Sequence, residues 1–245
     1  MRVPRFHVDT PLSPDVRIEL PPQTAAHALR VLRLQPGDAV ILFNGDGHDY
    51  AARLVAGGSR EVAVHVETRV ATMRESPLRI TLAQALARGE KMDWIVQKAV
   101  ELGVAAVIPL VTERSEVKLD DKRVTKRLEH WRAVAIAACE QSGRAIVPLI
   151  EAPQALDRWL ATLERSEGLV RLALHPGEGL RARALQPAPR TVTLAIGPEG
   201  GFGERDLAVL RTAGFANLSL GPRILRTETA GVAVVAALQA LYGDI

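Results

Sequence analysis

The feature that most constrains this chain is a change of hydrophobic period near residue 75. Up to about residue 70 the chain reads as short strands with turn punctuation, AVILFNG at 39–45, HDYAARLVA at 48–56 and EVAVHVETR at 61–69, the last with alternating apolar residues. Asp46-Gly47 and Gly57-Gly58 separate the runs, and alternation broken by glycine turns is the pattern of antiparallel strands. One short helix, over residues 23–32, interrupts them. The reading is a small β-barrel domain. ATMRESP at 71–77 breaks the alternation and ends in Pro77, so the boundary falls there, between a domain of residues 1–72 and one of residues 73–245.

Beyond the boundary, strands alternate with helices. Strands are expected at 78–86, 105–111, 145–150, 169–175, 191–197 and 216–221. Helices are expected at 91–102, 121–141, 153–164, 204–213 and 227–242; in the first, Met92, Ile95, Val96 and Ala99 form an apolar stripe. This order gives an α/β domain with a mostly parallel sheet.

Composition removes several classes of function. With 47% hydrophobic and 24% charged residues, the chain is of ordinary globular type. Its apolar runs at 133–139 and 232–241 are shorter than the roughly 20 residues of a membrane span, and MRVPRFHVDTP lacks a signal-peptide core. Cys139 stands alone, and no Cys/His cluster has zinc-ligand spacing. The expectation is an intracellular protein without metal or membrane. The net charge is only +3, yet the cations are 26 Arg against 5 Lys, and Arg is the better phosphate fork. Coding bias explains that excess as well as nucleic acid does.

In an open α/β sheet, ligands sit beyond the carboxyl ends of the strands, which directs attention to the loops after residues 175, 197 and 221. IGPEGGFGE at 196–204 places four glycines between a strand and a helix. It lacks the Lys of a phosphate loop and the spacing of a dinucleotide fingerprint, and Glu199 would repel a phosphate. A ligand without phosphate fits better, and a tight strand-to-helix turn fits the glycines equally. A bulky residue at Gly200 is expected to abolish binding. LGPRILRTETAG at 220–231 sets two Arg around two apolar residues before a helix. Thr227 is the expected N-cap and Glu228 suits the first turn. Gly231 weakens that helix by about 1 kcal/mol relative to Ala, so something packs closely on it. In ACEQSGR at 138–144, Gln141, Ser142 and Arg144 have capping as a sufficient explanation, and the run TERSEVKLDDKR at 112–123 reads as a solvated face.

Together, HALRVLRLQPGD (27–38), KMDWIVQKAVELGV (91–104), TERS (112–115), EQSGR (140–144), IGPEGGFGERD (196–206) and LGPRILRTETA (220–230) resemble the RsmE family of 16S rRNA uridine N3-methyltransferases. The resemblance runs nearly the length of the chain. It implies a SPOUT-type parallel sheet with a C-terminal trefoil knot, a small N-terminal PUA-like β-barrel that binds RNA, and a cytoplasmic homodimer acting on the small ribosomal subunit. It further implies S-adenosylmethionine as cofactor, a ligand whose sulfonium agrees with Glu199. The knot lies outside any periodicity argument, because threaded chains are nearly absent from proteins.

Under that resemblance the cofactor loops are Leu174 and His175; Ile196, Gly197, Pro198, Glu199, Gly200 and Gly201; and Leu220, Gly221, Ile224, Leu225, Arg226 and Thr229. Arg226 is the expected stabiliser of charge developing on the uracil carbonyls, and Glu228 the candidate base, although its place at a helix start explains it equally. For RNA, His27, Arg30 and Arg33 are spaced three apart on the predicted helix, with Arg2, Arg5, Arg114, Arg144 and Arg223 as further phosphate contacts. With 4% aromatic residues there are few stacking platforms, which favours recognition of RNA by shape. Three other readings stay open: a non-catalytic RNA-binding or ribosome-assembly protein, a nucleotide-dependent α/β enzyme, and a methyltransferase of another RNA position.

Overall fold

The computed structural model describes residues 3–55, 62–116, 121–164 and 168–245. It divides into two compact units, Met1–Glu75 with Cys139–Val147, and Ser76–Ala138 with Pro148–Ile245. Arg2 and the Gly57-Gly58 turn lie outside the described residues.

In the first unit, β1 (Arg5–His7), β2 (Arg17–Glu19), β3 (Ala39–Phe43), β4 (His48–Val55) and β5 (Ala63–Ala71) form one sheet in the order β1-β3-β4-β5-β2. Only the β1–β3 pair is parallel. The period of two decides which face is inside: Val40 and Leu42, Tyr50, Ala52 and Leu54, and Val64 and Val66 are all buried. Phe6 from one edge strand and Ile18 from the other reach this same core, so the sheet curls around a single interior. A register shift between Ala51 and Ala52 adds a local bend. The expected helix is present, shifted by one residue, and is of two kinds. It is α-helical as α1 (Pro22–Ala26), continues as a π-helical turn over His27–Val31, and is over by Arg33, whose φ is 56°.

The second unit contains β6 (Arg79–Ala85), α2 (Lys91–Glu101), β7 (Ala106–Val111), α3 (Asp121–Ser142), β8 (Leu149–Ile150), β9 (Gln154–Ala155), α4 (Leu156–Ala161), β10 (Leu169–Leu174), β11 (Thr191–Ile196), α5 (Glu204–Thr212), β12 (Ala216–Leu218) and α6 (Thr227–Tyr242). From Cys139 on, the last turn of α3 belongs to the first unit. The strands are parallel in the order β12-β10-β11-β6-β7-β8, and β9 also pairs with β7. Both faces are covered, which is why these strands read as nearly continuous apolar runs. On one face Ala83, Ile108, Ala173 and Ala195 meet Trp159 of α4 and Leu210 of α5. α6 crosses the other face next to α2. There Gly231 meets the close neighbour expected of it, because a Cβ would lie 3.1 Å from Gln84 Oε1 and 3.7 Å from Ile196 Cγ1.

Three elements are markedly shorter than expected: the strand at 216–221 is only Ala216–Leu218, the helix at 153–164 is only Leu156–Ala161, and the strand at 145–150 is shorter still. Of residues 145–150, only Leu149–Ile150 pairs in the sheet. The preceding residues serve the first unit: Arg144 and Ala145 are buried there, and apolar character alone does not distinguish a sheet core from a neighbouring one.

Candidate active site

Three strands of the second unit end level with one another. Leu174 of β10 is in register with Ile196 of β11 and with Leu218 of β12, so the three following loops start side by side at the carboxyl edge. They enclose a cavity of about 580 Å³, within the range of small-ligand sites. Leu174 and His175 line it from the first loop, and Ile196, Gly197, Pro198, Glu199, Gly200 and Gly201 from the second. Leu220, Gly221, Ile224 and Leu225 line it from the third.

The second loop is held tightly at its start. A Cβ on Gly197 would lie 2.8 Å from the Phe202 nitrogen and 2.9 Å from the Gly201 carbonyl carbon, so backbone itself occupies the space of a side chain. A Cβ on Gly200 would meet only Arg114 carbons at 3.5 Å, an ordinary contact, so packing within the protein requires glycine at 197, whereas Gly200 matters as part of the cavity lining. The Gly197 carbonyl accepts a 2.6 Å hydrogen bond from the Thr227 hydroxyl, which in turn accepts one of 2.9 Å from the Gln84 amide. Arg114 donates to the Gly200 carbonyl at 2.9 Å, and Asp206 takes the Gly203 N–H at 3.0 Å.

Glu199 lines the cavity with its carboxylate anchored from behind. One carboxylate oxygen accepts from Lys91 Nζ at 2.9 Å and from the Arg88 backbone N–H at 3.0 Å. Burial alone would raise this carboxyl, but the Lys91 and Arg88 hydrogen bonds outweigh it and hold it below its ordinary value. The hydrogen bond to Glu199 raises the Lys91 ammonium correspondingly.

At the start of α6 the structure corrects several expectations. Thr227 is not the N-cap. Arg226 is, with no side-chain capping bond, while Thr227 is buried with its hydroxyl on Gly197. Thr227 and Ala230, three residues apart on one helical face, line the cavity. Successive helix positions turn by about 100°, so Glu228 and Thr229 face elsewhere. Neither they nor Arg226 border the cavity, and Glu228 faces Lys91 at 3.5 Å.

The residues expected to meet RNA separate into three groups. Arg114 and Arg223 line the cavity. His27 and Arg30 are exposed on the π-helical turn, whereas Arg33 is exposed beyond its end, with a φ of 56°. Arg5 and Arg144 are not surface residues at all. Arg5 is 7% exposed; it donates to Asp49 at 2.6 Å and to the Arg144 carbonyl at 3.0 Å, and lies over the Phe43 ring. Arg144 is 4% exposed and forks onto Glu75. They hold the first unit together.

An RNA methyltransferase domain family matches residues 74–239 and an RNA methyltransferase PUA domain matches residues 20–67. The ribosomal RNA small subunit methyltransferase E of Bacillus subtilis is 33% identical over 235 residues, covering 89% of both chains. The chain belongs to the RsmE family. Two solved structures share its fold from end to end, covering 100% of each chain. A Legionella pneumophila protein in complex with its bound cofactor S-adenosylmethionine is 39% identical with a TM-score of 0.94, and the Neisseria gonorrhoeae ribosomal RNA small subunit methyltransferase E bound to S-adenosyl methionine is 35% identical with a TM-score of 0.91.

Within this RsmE fold, sequence reasoning overlooked Arg181, Phe202, Ser219 and Ala230, which line the cavity, and Lys91, which braces it. Ala230 had a signal, its helical spacing from Thr227. Lys91 had none, being 108 residues from Glu199.

Proposed function

We propose that this chain is an S-adenosylmethionine-dependent methyltransferase that modifies N3 of a uridine in 16S rRNA of the small ribosomal subunit, as a cytoplasmic homodimer. The cavity at the level strand ends carries the reading. Its lining combines apolar Leu174, Ile196, Phe202 and Ala230, glycine-rich backbone, the exposed Arg114, Arg181 and Arg223, and the carboxylate of Glu199. Such a lining suits a ligand with a flat apolar part and charges of both signs, and the relatives solved with S-adenosylmethionine support it. Bound there, the cofactor supplies an electrophilic methyl group.

The chain's own residues position and charge-balance the reactants. Leu174, Ile196 and Leu225, with backbone of the loops at 197–201 and 220–225, would hold the cofactor, and Thr227 fixes Gly197 in that lining. Holding reactants in line supplies a large share of rate enhancement. Arg223, exposed at the rim, takes an RNA phosphate. Arg226, exposed at the start of α6, stabilises negative charge on the uracil carbonyls as N3 loses its proton to water. Glu228 is engaged by Lys91 and is not assigned the role of base. A paired target uracil must be turned out of its pair before N3 is accessible. The homodimer finds support in apolar surface left uncovered at Trp94 of α2 and Leu241 of α6. The trefoil knot of the family fits the way α6 lies against the loop after β10, where the Tyr242 hydroxyl donates to the Ala182 carbonyl at 2.8 Å.

Titration calorimetry with S-adenosylmethionine, against ATP and NAD, tests the cofactor. Nucleoside analysis of treated small subunits tests the product. Selective binding and N3-methyluridine are expected; binding of ATP or NAD instead, or a ribose-methylated product, overturns the reading. Arg226→Ala is expected to lower turnover about a hundredfold with cofactor affinity unchanged, and equal losses in both would make it a binding residue.

A further inference from the structure

Lys91 occupies the first turn of α2, the end of a helix where a cation is unfavourable. Helix stability therefore does not explain it, and two carboxylates do. Its ammonium is 2.9 Å from Glu199 Oε1 in the loop after β11 and 3.5 Å from Glu228 Oε2 on the first turn of α6. That Glu228 oxygen is buried and accepts no hydrogen bond among the described residues, so the nearby ammonium is what balances its charge. On the same side, the Arg88 N–H reaches the Glu199 oxygen that Lys91 holds. On the other side, Thr227, next to Glu228, holds the Gly197 carbonyl.

We propose that Lys91 is a positioning residue for the cavity, a single cation that ties the 197–203 loop to the start of α6 through Glu199 and Glu228. It touches no reacting atom in this role. The inference deepens the S-adenosylmethionine reading given above and rests on it for its consequence in binding. The loop is fixed at two points: Thr227 sets where it leaves β11, and Lys91 sets how its middle stands against the helix whose Thr227 and Ala230 form the opposite wall. Glu199 and Glu228 then act through Lys91, Glu199 as an anchor for the loop and Glu228 as its counterpart on α6. All three side chains are partly exposed, with relative exposures of 32%, 31% and 19%. Such a cluster contributes little to global stability, so its effect belongs to the local arrangement of the cavity.

The test uses the full chain with Lys91→Met, Lys91→Arg, Glu199→Gln and the double variant Lys91→Met/Glu199→Gln. Amide hydrogen exchange of residues 199–203 in the ligand-free protein reads the loop directly, and calorimetry with S-adenosylmethionine reads the consequence. Lys91→Met is expected to speed loop exchange and weaken Kd about tenfold while the thermal midpoint stays in place. Lys91→Arg restores both, Glu199→Gln reproduces the loss, and the double variant is no worse than either single change. Unchanged exchange in Lys91→Met overturns the proposal, as do additive losses in the double variant or a failure of Lys91→Arg to rescue. If the unaltered chain binds no S-adenosylmethionine, the cavity reading fails, and the exchange data still decide the role of Lys91.

Discussion

The two units put the same side chain to opposite uses. In the first, Arg5 and Arg144 are buried, each on a carboxylate, and Arg5 also reaches a backbone carbonyl and an aromatic ring. In the second, Arg114, Arg181 and Arg223 border an open cavity. The excess of Arg over Lys therefore measures no single property of the chain. Part of it is internal structure, where a rigid fork satisfies several acceptors at once, and part is a cationic rim. Burial and partners, rather than count, determine which arginine can reach RNA.

Several substitutions would break or sharpen this contrast. The largest effect is expected from Gly197→Val, which forces a side chain into backbone and should remove S-adenosylmethionine binding, by more than about a hundredfold in Kd, with the first unit intact. Retained affinity would show that the loop yields more than its packing indicates. Next is Arg144→Met, which leaves Glu75 without its partner in a largely buried setting. Destabilisation by about 3 kcal/mol is expected, visible in thermal melting, with cofactor affinity unchanged; a loss of affinity instead would mean that the two uses of arginine are not separable.

A milder effect is expected at the rim. Arg223→Ala should weaken RNA binding evenly across sequences and reduce the salt slope by about one. Cys139 reports on the first unit, since burial pushes its thiol up to about 12. Alkylation at pH 8 should be slow in the native chain and accelerate in Arg144→Met. The smallest effect concerns pH. Glu199 is held below its ordinary 4.5, so the contribution of its contacts is present above that value and fades as pH falls through the lowered one. Lys91 is held above its ordinary 10.5, so its contribution is present below that value and fades as pH rises through the raised one. Exchange protection of the loop should therefore be flat between pH 5 and 10 and decline on both sides.

Much of the fold was legible because period and length carried it. The helix expected at 227–242 is α6 to the residue, and the strands at 169–175 and 191–197 are each one residue shorter. Strands of two or three residues, such as β2 and β9, hold too few positions for a period to show. The site was legible as three loops, because strand ends locate ligands in α/β sheets. Which side chains face inward was not. Thr227, Glu228 and Thr229 are consecutive in sequence, and only the helical turn beginning at Thr227 separates the one that borders the cavity from the two that do not. The braces were invisible for another reason. Lys91 on Glu199 and Arg144 on Glu75 join residues 108 and 69 positions apart, beyond the reach of any local pattern.

The membership of Cys139–Val147 in the first unit also sets an order of events during synthesis. A chain leaving the ribosome presents Met1–Glu75 early, but Arg144, whose carbonyl accepts from Arg5 and whose guanidinium holds Glu75, arrives only after Ser76–Ala138 has been made, on the order of several seconds later at the usual rate. In that interval the nascent barrel lacks the Arg144 fork and carbonyl, and β6, α2 and β7 are already outside. The unit that is first in sequence is therefore completed late, with much of the second unit already made.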